Sequence, residues 1–359
     1  MGTRAGRTWP ALLDALVTGT NLSAEDTSWA MDQIMSGNAT SSQIGGFAVA
    51  LRAKGETAAE VAGMAEAMLS HARRVDVDSP AADVVGTGGD RSGSVNISTM
   101  SALVTAAAGV PVVKHGNRAA SSRCGAADVL AELGVAIELS PASVAECVRT
   151  LGIGFCFAPA FHPAFRHVGP ARKELGIPTA FNILGPLTNP AQPRSALVGC
   201  ANERLAPVVA EVLAARGFGV LVVRGDDGLD EITTTTTTTA WVVTNGTVRV
   251  DKIDPSRLPV AMCAAGDLAG GDAAFNASVL REVLAGRPGP VRDTVLLNAA
   301  GAIAAFRGLS DDLHADLGAA LESARQAVDG GTAADLLTKW ITLSTSLRAG
   351  EERTPAGVS

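Results

Sequence analysis

The chain has 359 residues, with 36 acidic side chains against 29 basic ones, a formal charge of −7, and 47% hydrophobic residues. That composition excludes a disordered or fibrous chain, and the acidic balance gives no general pull toward nucleic acid or anionic lipid. At roughly 150 residues per domain the length predicts about two domains with a cleft between them.

From Trp9 to about Arg74 the apolar residues fall at helical spacings, as in Leu12, Leu13 and Leu16, then Met31, Ile34 and Met35, then Val61, Met64 and Met68. This stretch reads as an all-helical module. Ser23 and Asp26 form a capping-box pattern with the shorter acid, and Gly37 and Gly55 stand where helices should stop. After Ser79-Pro80 the pattern changes to short apolar runs, each followed by a Gly-rich or polar loop and an amphipathic stretch. Strands are expected at 82–85, 110–113, 135–139 and 153–157, with helices at 99–108, 126–133 and 141–151. Runs so uniformly apolar predict a parallel sheet covered on both faces. The Pro-rich stretch 158–193 predicts short helices and a crossing segment. Strands resume at 196–200, 220–223 and 241–243, and helices dominate 272–347. The expected fold class is α/β, with a small all-helical domain beside a larger α/β domain around a mainly parallel sheet. Seven consecutive threonines, Thr233 to Thr239, read as an extended structural tract rather than a ligand set.

The five cysteines, Cys124, Cys147, Cys156, Cys200 and Cys263, are odd in number and contain no CxxC pair. Neither a disulfide framework nor a zinc knuckle is expected, and a reducing cytoplasm fits. Arg4 and Arg7 precede an apolar stretch that Asp14 interrupts too early for a signal sequence. No run approaches the ~20 apolar residues of a membrane span, so no membrane association is expected.

Three loops carry the chemistry. Gly86-Thr87-Gly88-Gly89-Asp90 follows a strand and precedes Ser94, Asn96, Ser98 and Thr99 at a predicted helix start. Glycines admit an anion close to the backbone and the helix N-terminus offers free N–H groups, which suits phosphate; otherwise the loop is a tight turn with Ser98 or Thr99 as N-cap. It matches neither GxGxxG nor GxxxxGK[ST]. The second loop, Lys114-His115-Gly116-Asn117-Arg118-Ala119-Ala120-Ser121-Ser122, again combines cations, glycine and hydroxyls. Two such loops on consecutive strands face one crevice at the carboxyl end of a sheet, so the ligand should bear two separated anionic groups. The third, Arg224-Gly225-Asp226-Asp227-Gly228-Leu229-Asp230-Glu231, supplies hard oxygen ligands for Mg²⁺ beside substrate phosphates. His71, His162, His167 and His314 read as structural, and Arg172 on its own reads as a surface salt-bridge residue.

These residues resemble the anthranilate phosphoribosyltransferase family. The resemblance rests on GTGGD (86–90), SVNIST (94–99), KHGNRAASS (114–122), GAADVL followed by ELG, RKELG (172–176), FNILGPLTNP (181–190), GDDGLDE (225–231), GGDA (270–273) and LLNAAGA, and spans nearly the whole chain. It implies transfer of the phosphoribosyl group of phosphoribosyl pyrophosphate (PRPP) to the amino nitrogen of anthranilate, with release of pyrophosphate. It implies Mg²⁺ as cofactor and a homodimer formed through the helical domain. The domain division it implies is 1–76 with about 166–192 as the helical part, and 77–165 with about 193–350 as the α/β part, joined by hinges. By match to the motifs, Gly86, Gly89, Asp90, Ser94, Asn96, Ile97, Ser98, Thr99, Lys114 to Ser122 and Ala126 would hold the donor. Ser98, Asp230 and Glu231 would bind Mg²⁺. Gly86, Asn117 and Arg172 would contact anthranilate, Arg172 through a fork to its carboxylate, which reverses the surface reading of that residue. No general base is expected, because the aromatic amine is already a neutral nucleophile. Ser122, Cys124, Ala126 and the threonine tract depart from the commoner family pattern. The competing readings are a nucleoside phosphorylase of the same fold, whose second loop would read KHSGR-like and which needs no acidic metal pair, and a non-catalytic nucleic-acid-binding paralogue.

Overall fold

A computed structural model describes residues 7–119 and 123–353. The chain opens with four helices, α1 (Trp9–Val17), α2 (Ala24–Met35), α3 (Ser41–Lys54) and α4 (Ala58–Ser70). Their starts are chemically marked: the Ser23/Asp26, Thr40/Gln43 and Thr57/Glu60 pairs each close a capping box, satisfying backbone donors that would otherwise be orphaned. Gly55 ends α3 at φ 96°. Lys54 and Glu60 form a buried ion pair at 2.9 Å, and Glu60 also accepts from the Leu22 and Thr57 amides, so both charges are compensated.

Among the described residues seven strands form one sheet in the order β3-β2-β1-β4-β5-β6-β7. These are β1 (Ala82–Gly86), β2 (Val112–Gly116), β3 (Ile153–Phe157), β4 (Ser195–Gly199), β5 (Gly219–Gly225), β6 (Thr238–Thr244) and β7 (Thr247–Ile253). The first five run parallel, and β6 and β7 are antiparallel. The β6–β7 hairpin turns through Asn245-Gly246, both at positive φ (51° and 76°), as a two-residue turn requires. Strand residues alternate between two cores. Val84, Leu197, Leu221 and Val223 belong to one, while Val85, Ala196, Val198, Val220 and Val222 belong to the other. Both faces are therefore covered, as a parallel sheet demands.

The first face packs on α5 (Ile97–Ala107), α6 (Ala126–Leu133), α7 (Pro141–Leu151), α11 (Ala273–Leu284), α12 (Pro290–Arg307), α13 (Leu313–Asp329) and α14 (Thr332–Arg353). The second meets α10 (Ala206–Ala215) and the N-terminal helices, whose core also takes in Val168, Ala171, Phe181, Ile183, Leu184 and Leu187. Those last residues run from Val168, which precedes α9 (Gly169–Leu175), to the 3₁₀ turns Ala180–Asn182 and Gly185–Leu187, all of which follow α8 (Ala158–Phe161) and the turn Pro163–His167. No helix among the described residues is long and apolar enough to cross a membrane.

Three local expectations need correcting. Residues 135–139 form no strand: Val135, Ile137 and Leu139 are buried, but the segment is tied to α14, with Ala136 donating to Ser344 Oγ at 3.1 Å. The alternation there marks one covered face without a ladder. The second strand starts at Val112 rather than 110 and runs on to Gly116, which carries Lys114 and His115 into the sheet itself. The helix after the first loop is capped at Asn96, not at Ser98 or Thr99, and Asn96 makes no side-chain cap bond.

Candidate active site

Strand order reverses at β1, which pairs with β2 on one side and β4 on the other. The crevice beyond the carboxyl ends of such strands is where open α/β sheets take ligands. Gly86 closes β1 and the Thr87–Asp90 loop follows it, with Gly88 and Gly89 at φ 64° and 86°. The Gly88 amide donates to Asp230 Oδ2 at 2.7 Å, so the first and third loops are joined directly. That contact exists because neither flanking strand has a Cβ in the way. A Cβ on Gly86 would stand 2.3 Å from Asp230 Oδ2, and one on Gly199 would stand 1.6 Å from the Asp230 carbonyl oxygen. Asp90 accepts from the Ser92 hydroxyl at 2.7 Å, and Ser92 Oγ in turn accepts from the Ser94 amide at 3.2 Å. Ile97 is buried at the first turn of α5, and Thr99 is buried beside it. The Asn96 side chain is engaged at both ends: it donates to the Cys124 carbonyl at 3.1 Å and accepts from Asn276 at 2.9 Å. It therefore braces the second loop against α11.

Lys114, buried in β2, donates to the Val84 carbonyl and to Ser98 Oγ (3.3 Å). Burial pulls its pKa down, while Asp83, Glu231 and Asp230 push it back up. The same surroundings act oppositely on the carboxylates. Burial and Asp90 raise Asp230 to about 6, opposed by the Gly88 amide and Lys114. Burial and Asp230 hold Glu231 well above the usual carboxylate range, opposed by Lys114. A carboxylate pair short of positive charge has the electrostatics of a cation site. Among the described residues no group of three or more His, Cys, Asp or Glu could hold a metal by itself. Two carboxylates and a hydroxyl at Ser98 are a hard-oxygen set that fits Mg²⁺ shared with substrate phosphates, rather than a closed protein cage.

The third loop is divided. Asp230 and Glu231 face the first loop, but Asp226 pairs with Lys252 at 2.7 Å and accepts from Thr239 at 2.9 Å, while Asp227 accepts from Thr233 at 2.8 Å. The threonine tract thus hydrogen-bonds the two carboxylates that leave the site, and Lys252 balances the charge of Asp226.

In the second loop Asp128 is the organiser, a residue that sequence reading missed. It accepts from the Ala119 and Gly125 amides and from Arg118, each at 2.9 Å. Asn117 accepts from the Arg118 amide through its own side chain at 2.7 Å and is exposed. Arg118 lies over the Phe157 ring, 5.8 Å from its centroid. Gly116 packs against Phe155 and Ala126, where α6 begins. Ala120, Ser121 and Ser122 lie outside the described residues. The His115 ring points away from the Lys114 side: Nδ1 donates to the Gly185 carbonyl at 3.0 Å and the ring sits 5.2 Å from that of His162. Burial and His162 press its pKa down to about 3, so the imidazole is neutral.

Arg172 projects from α9 with its guanidinium 5.6 Å from the Phe165 centroid, partly buried, and it makes no ion pair with a described residue. An unpaired guanidinium held over an aromatic face is suited to a carboxylate ligand. A crevice lies between the two parts of the molecule, with Arg52, Glu56 and Thr179 on the helical side and Thr87, Gly88 and Gly89 opposite.

Fold and site together define a sugar-phosphate transferase built from a helical bundle and an α/β domain. Residues 10–72 match the model of the glycosyl transferase family helical bundle domain, and 78–334 match that of the glycosyl transferase family a/b domain. The chain is 62% identical over 347 residues to an anthranilate phosphoribosyltransferase of Saccharopolyspora erythraea, covering 97% of this chain and 99% of that one. It is 58% identical to that of Rhodococcus jostii, covering 96% of each. Among solved structures, the anthranilate phosphoribosyltransferase of Thermus thermophilus superimposes with TM-score 0.87 at 38% identity, covering 93% of this chain and 99% of that one. The enzyme from Saccharomyces cerevisiae in complex with PRPP and Mg gives 0.86 at 29% identity, covering 96% and 99%. The chain belongs to the anthranilate phosphoribosyltransferase family.

Proposed function

We propose that the crevice at β1, β2 and β5 transfers the phosphoribosyl group from PRPP to the amino nitrogen of anthranilate, giving N-(5-phosphoribosyl)anthranilate and pyrophosphate for tryptophan biosynthesis. One observation carries the reading: Asp230, bonded into the Gly86–Asp90 loop through the Gly88 amide, and Glu231, held by the Ser98 amide at the start of α5, stand beside Lys114 short of positive charge. A phosphate-rich donor with a divalent cation completes that arrangement, whereas a donor alone would be repelled by the carboxylates. A nucleoside phosphorylase has no need of the acidic pair, and a nucleic-acid-binding paralogue would leave it buried at a cost.

In this reading Gly86, Gly89, Asp90, Ser94, Asn96 to Thr99, Lys114 to Ser122 and Ala126 form the donor site. Backbone N–H groups of the first loop and the α5 start face phosphate oxygens. Asn96 and His115, whose side chains are engaged elsewhere, contribute main chain and loop position. Ser98, Asp230 and Glu231 would hold Mg²⁺, which when bound neutralises charge on the departing pyrophosphate. Lys114 presents its ammonium to the same region. Arg172 grips the anthranilate carboxylate, with Asn117 and Gly86 lining the same pocket, so the amine faces the ribosyl carbon. The neutral amine attacks C1 as the C1–O bond to pyrophosphate breaks, and its proton is lost after the new bond forms. Orientation and charge stabilisation do the work, and closure of the helical part (1–76 and about 166–192) on the α/β part (77–165 and about 193–350) brings the partners into reach.

The resemblance also supports a homodimer through the helical part, where Val17 and Val49 of α1 and α3 are exposed. A cytoplasmic setting is supported by the cysteine pattern of the sequence, five in number and without a CxxC pair. The test is direct: purified protein with PRPP, anthranilate and Mg²⁺ should consume anthranilate fluorescence, and a chelator should stop it. No turnover at saturating substrates would reject the reading.

A further inference from the structure

The β1–β2 ladder is broken where its neighbours are not. Strand β1 pairs with β4 over five residues and β2 with β3 over five, but β1 and β2 share a single paired position, Ala82 with Val112. Beyond it the strands part, and buried side chains stand in for the missing main-chain bonds. The Lys114 ammonium donates to the Val84 carbonyl. Asp83 Oδ1 accepts from the His115 amide at 3.3 Å. The Asn189 amide nitrogen spends both hydrogens in the gap, one on Asp83 Oδ2 and one on the Val113 carbonyl, each at 2.8 Å. Its carbonyl oxygen accepts from the Ala191 amide at 2.9 Å, which fixes the orientation, since a flipped amide would set oxygen against two acceptors. Asn189 reaches in from the segment by which the chain returns from the helical side to β4. Asp83, Lys114, His115 and Asn189 are all buried, so none of these bonds is shared with solvent.

We infer that Asn189, acting with Asp83, is a positioning residue for the donor site. It sets the width of the β1–β2 parting, and that width fixes where the Lys114 ammonium stands and how far apart the loops after Gly86 and Gly116 begin. Both loops leave their strands within four residues of the wedge. A wider or narrower parting would misplace two sets of phosphate-facing groups together while leaving Arg172 where it is. This inference rests on the proposed phosphoribosyl transfer.

The experiment compares wild type with Asn189→Ala and the isosteric Asp83→Asn, which keeps the acceptor for the His115 amide but sets an amide against Asn189. Steady-state rates with Mg²⁺ should show the PRPP KM raised at least tenfold in both variants, and the anthranilate KM, anchored by the unmoved Arg172 although Gly86 and Asn117 line both sites, raised several-fold less than the PRPP KM. A purely structural role would shrink the folded fraction, lowering apparent kcat with both KM values unmoved. That result, or a PRPP KM within twofold in both variants, would overturn the inference while leaving the functional reading intact. If Asn189→Ala does not fold, Asp83→Asn decides alone. A wild type that turns over no PRPP would overturn the functional reading and this inference with it.

Discussion

Replacing Gly86 with alanine tests the junction of the first and third loops with one methyl group. Gly86 lies in β1 and is not at positive φ, so alanine adds contact without backbone strain. The new Cβ would meet Asp230 Oδ2 at 2.3 Å, against about 3.4 Å for ordinary contact, so the carboxylate must retreat by about 1 Å. It cannot retreat as a unit, because the Asp230 backbone is wedged against Gly199. The side chain must swing, breaking the 2.7 Å bond from the Gly88 amide. A hydrogen bond to a charged group contributes about 1.5–3 kcal/mol, and misplacement of an active-site group by about 1 Å costs on the order of 10²-fold in rate. Initial rates with varied PRPP, at saturating anthranilate and Mg²⁺, should therefore show kcat/KM for PRPP down about 100-fold, with a higher Mg²⁺ requirement. A variant within threefold of wild type at unchanged Mg²⁺ dependence would refute the reasoning.

Other perturbations give different signatures. Arg172→Ala removes a charge-assisted carboxylate partner and should raise the anthranilate KM roughly 10- to 100-fold with the PRPP KM within twofold; equal effects on both would remove Arg172 from the acceptor site. Asp230→Asn should abolish Mg²⁺-dependent turnover yet raise the Tm of the metal-free protein by a few degrees, because burial and Asp90 make the wild-type carboxylate costly in the fold. The sign follows from a folded pKa of about 6 against 3.8 unfolded: the cost is full above pH 6 and fades as the pH falls toward 4, so the Tm gap should close over that window in melting curves. Donor affinity should fall over the same descent, as Asp230 takes up its proton. Asp128→Ala frees the Ala119 and Gly125 amides, and should raise the PRPP KM and speed trypsin cleavage at Arg118 and Arg123.

The parts of the fold visible in the sequence are those fixed by local rules. The helices at Ala126–Leu133 and Pro141–Leu151 begin and end where expected, because Gly134 and Gly152 stop them in the left-handed region and Ser140 caps the second. What stayed hidden depends on contacts distant in sequence. Residues 135–139 alternate like a strand, but burial against α14 alone produces that pattern. The β7 strand is half exposed and paired only with β6, which leaves its apolar signal weak. At the site, glycines and charges marked all three loops. The residues that hold those loops in place, Asp83, Asp128, Asn189 and Asn276, gave little signal. Asp83 sits within an otherwise apolar run, and an Asn before a proline reads as a turn. The separation of Asp230 and Glu231 from Asp226 and Asp227 could not be read locally either, since it depends on Lys252 and on threonines folding back over the loop.

Titration calorimetry of PRPP into wild type and Asp230→Asn, each with Mg²⁺ and with chelator, tests the central claim most directly. Wild type should bind PRPP far more tightly with Mg²⁺ than without, and the substitution should erase the difference. Equal PRPP affinity in all four titrations would contradict it.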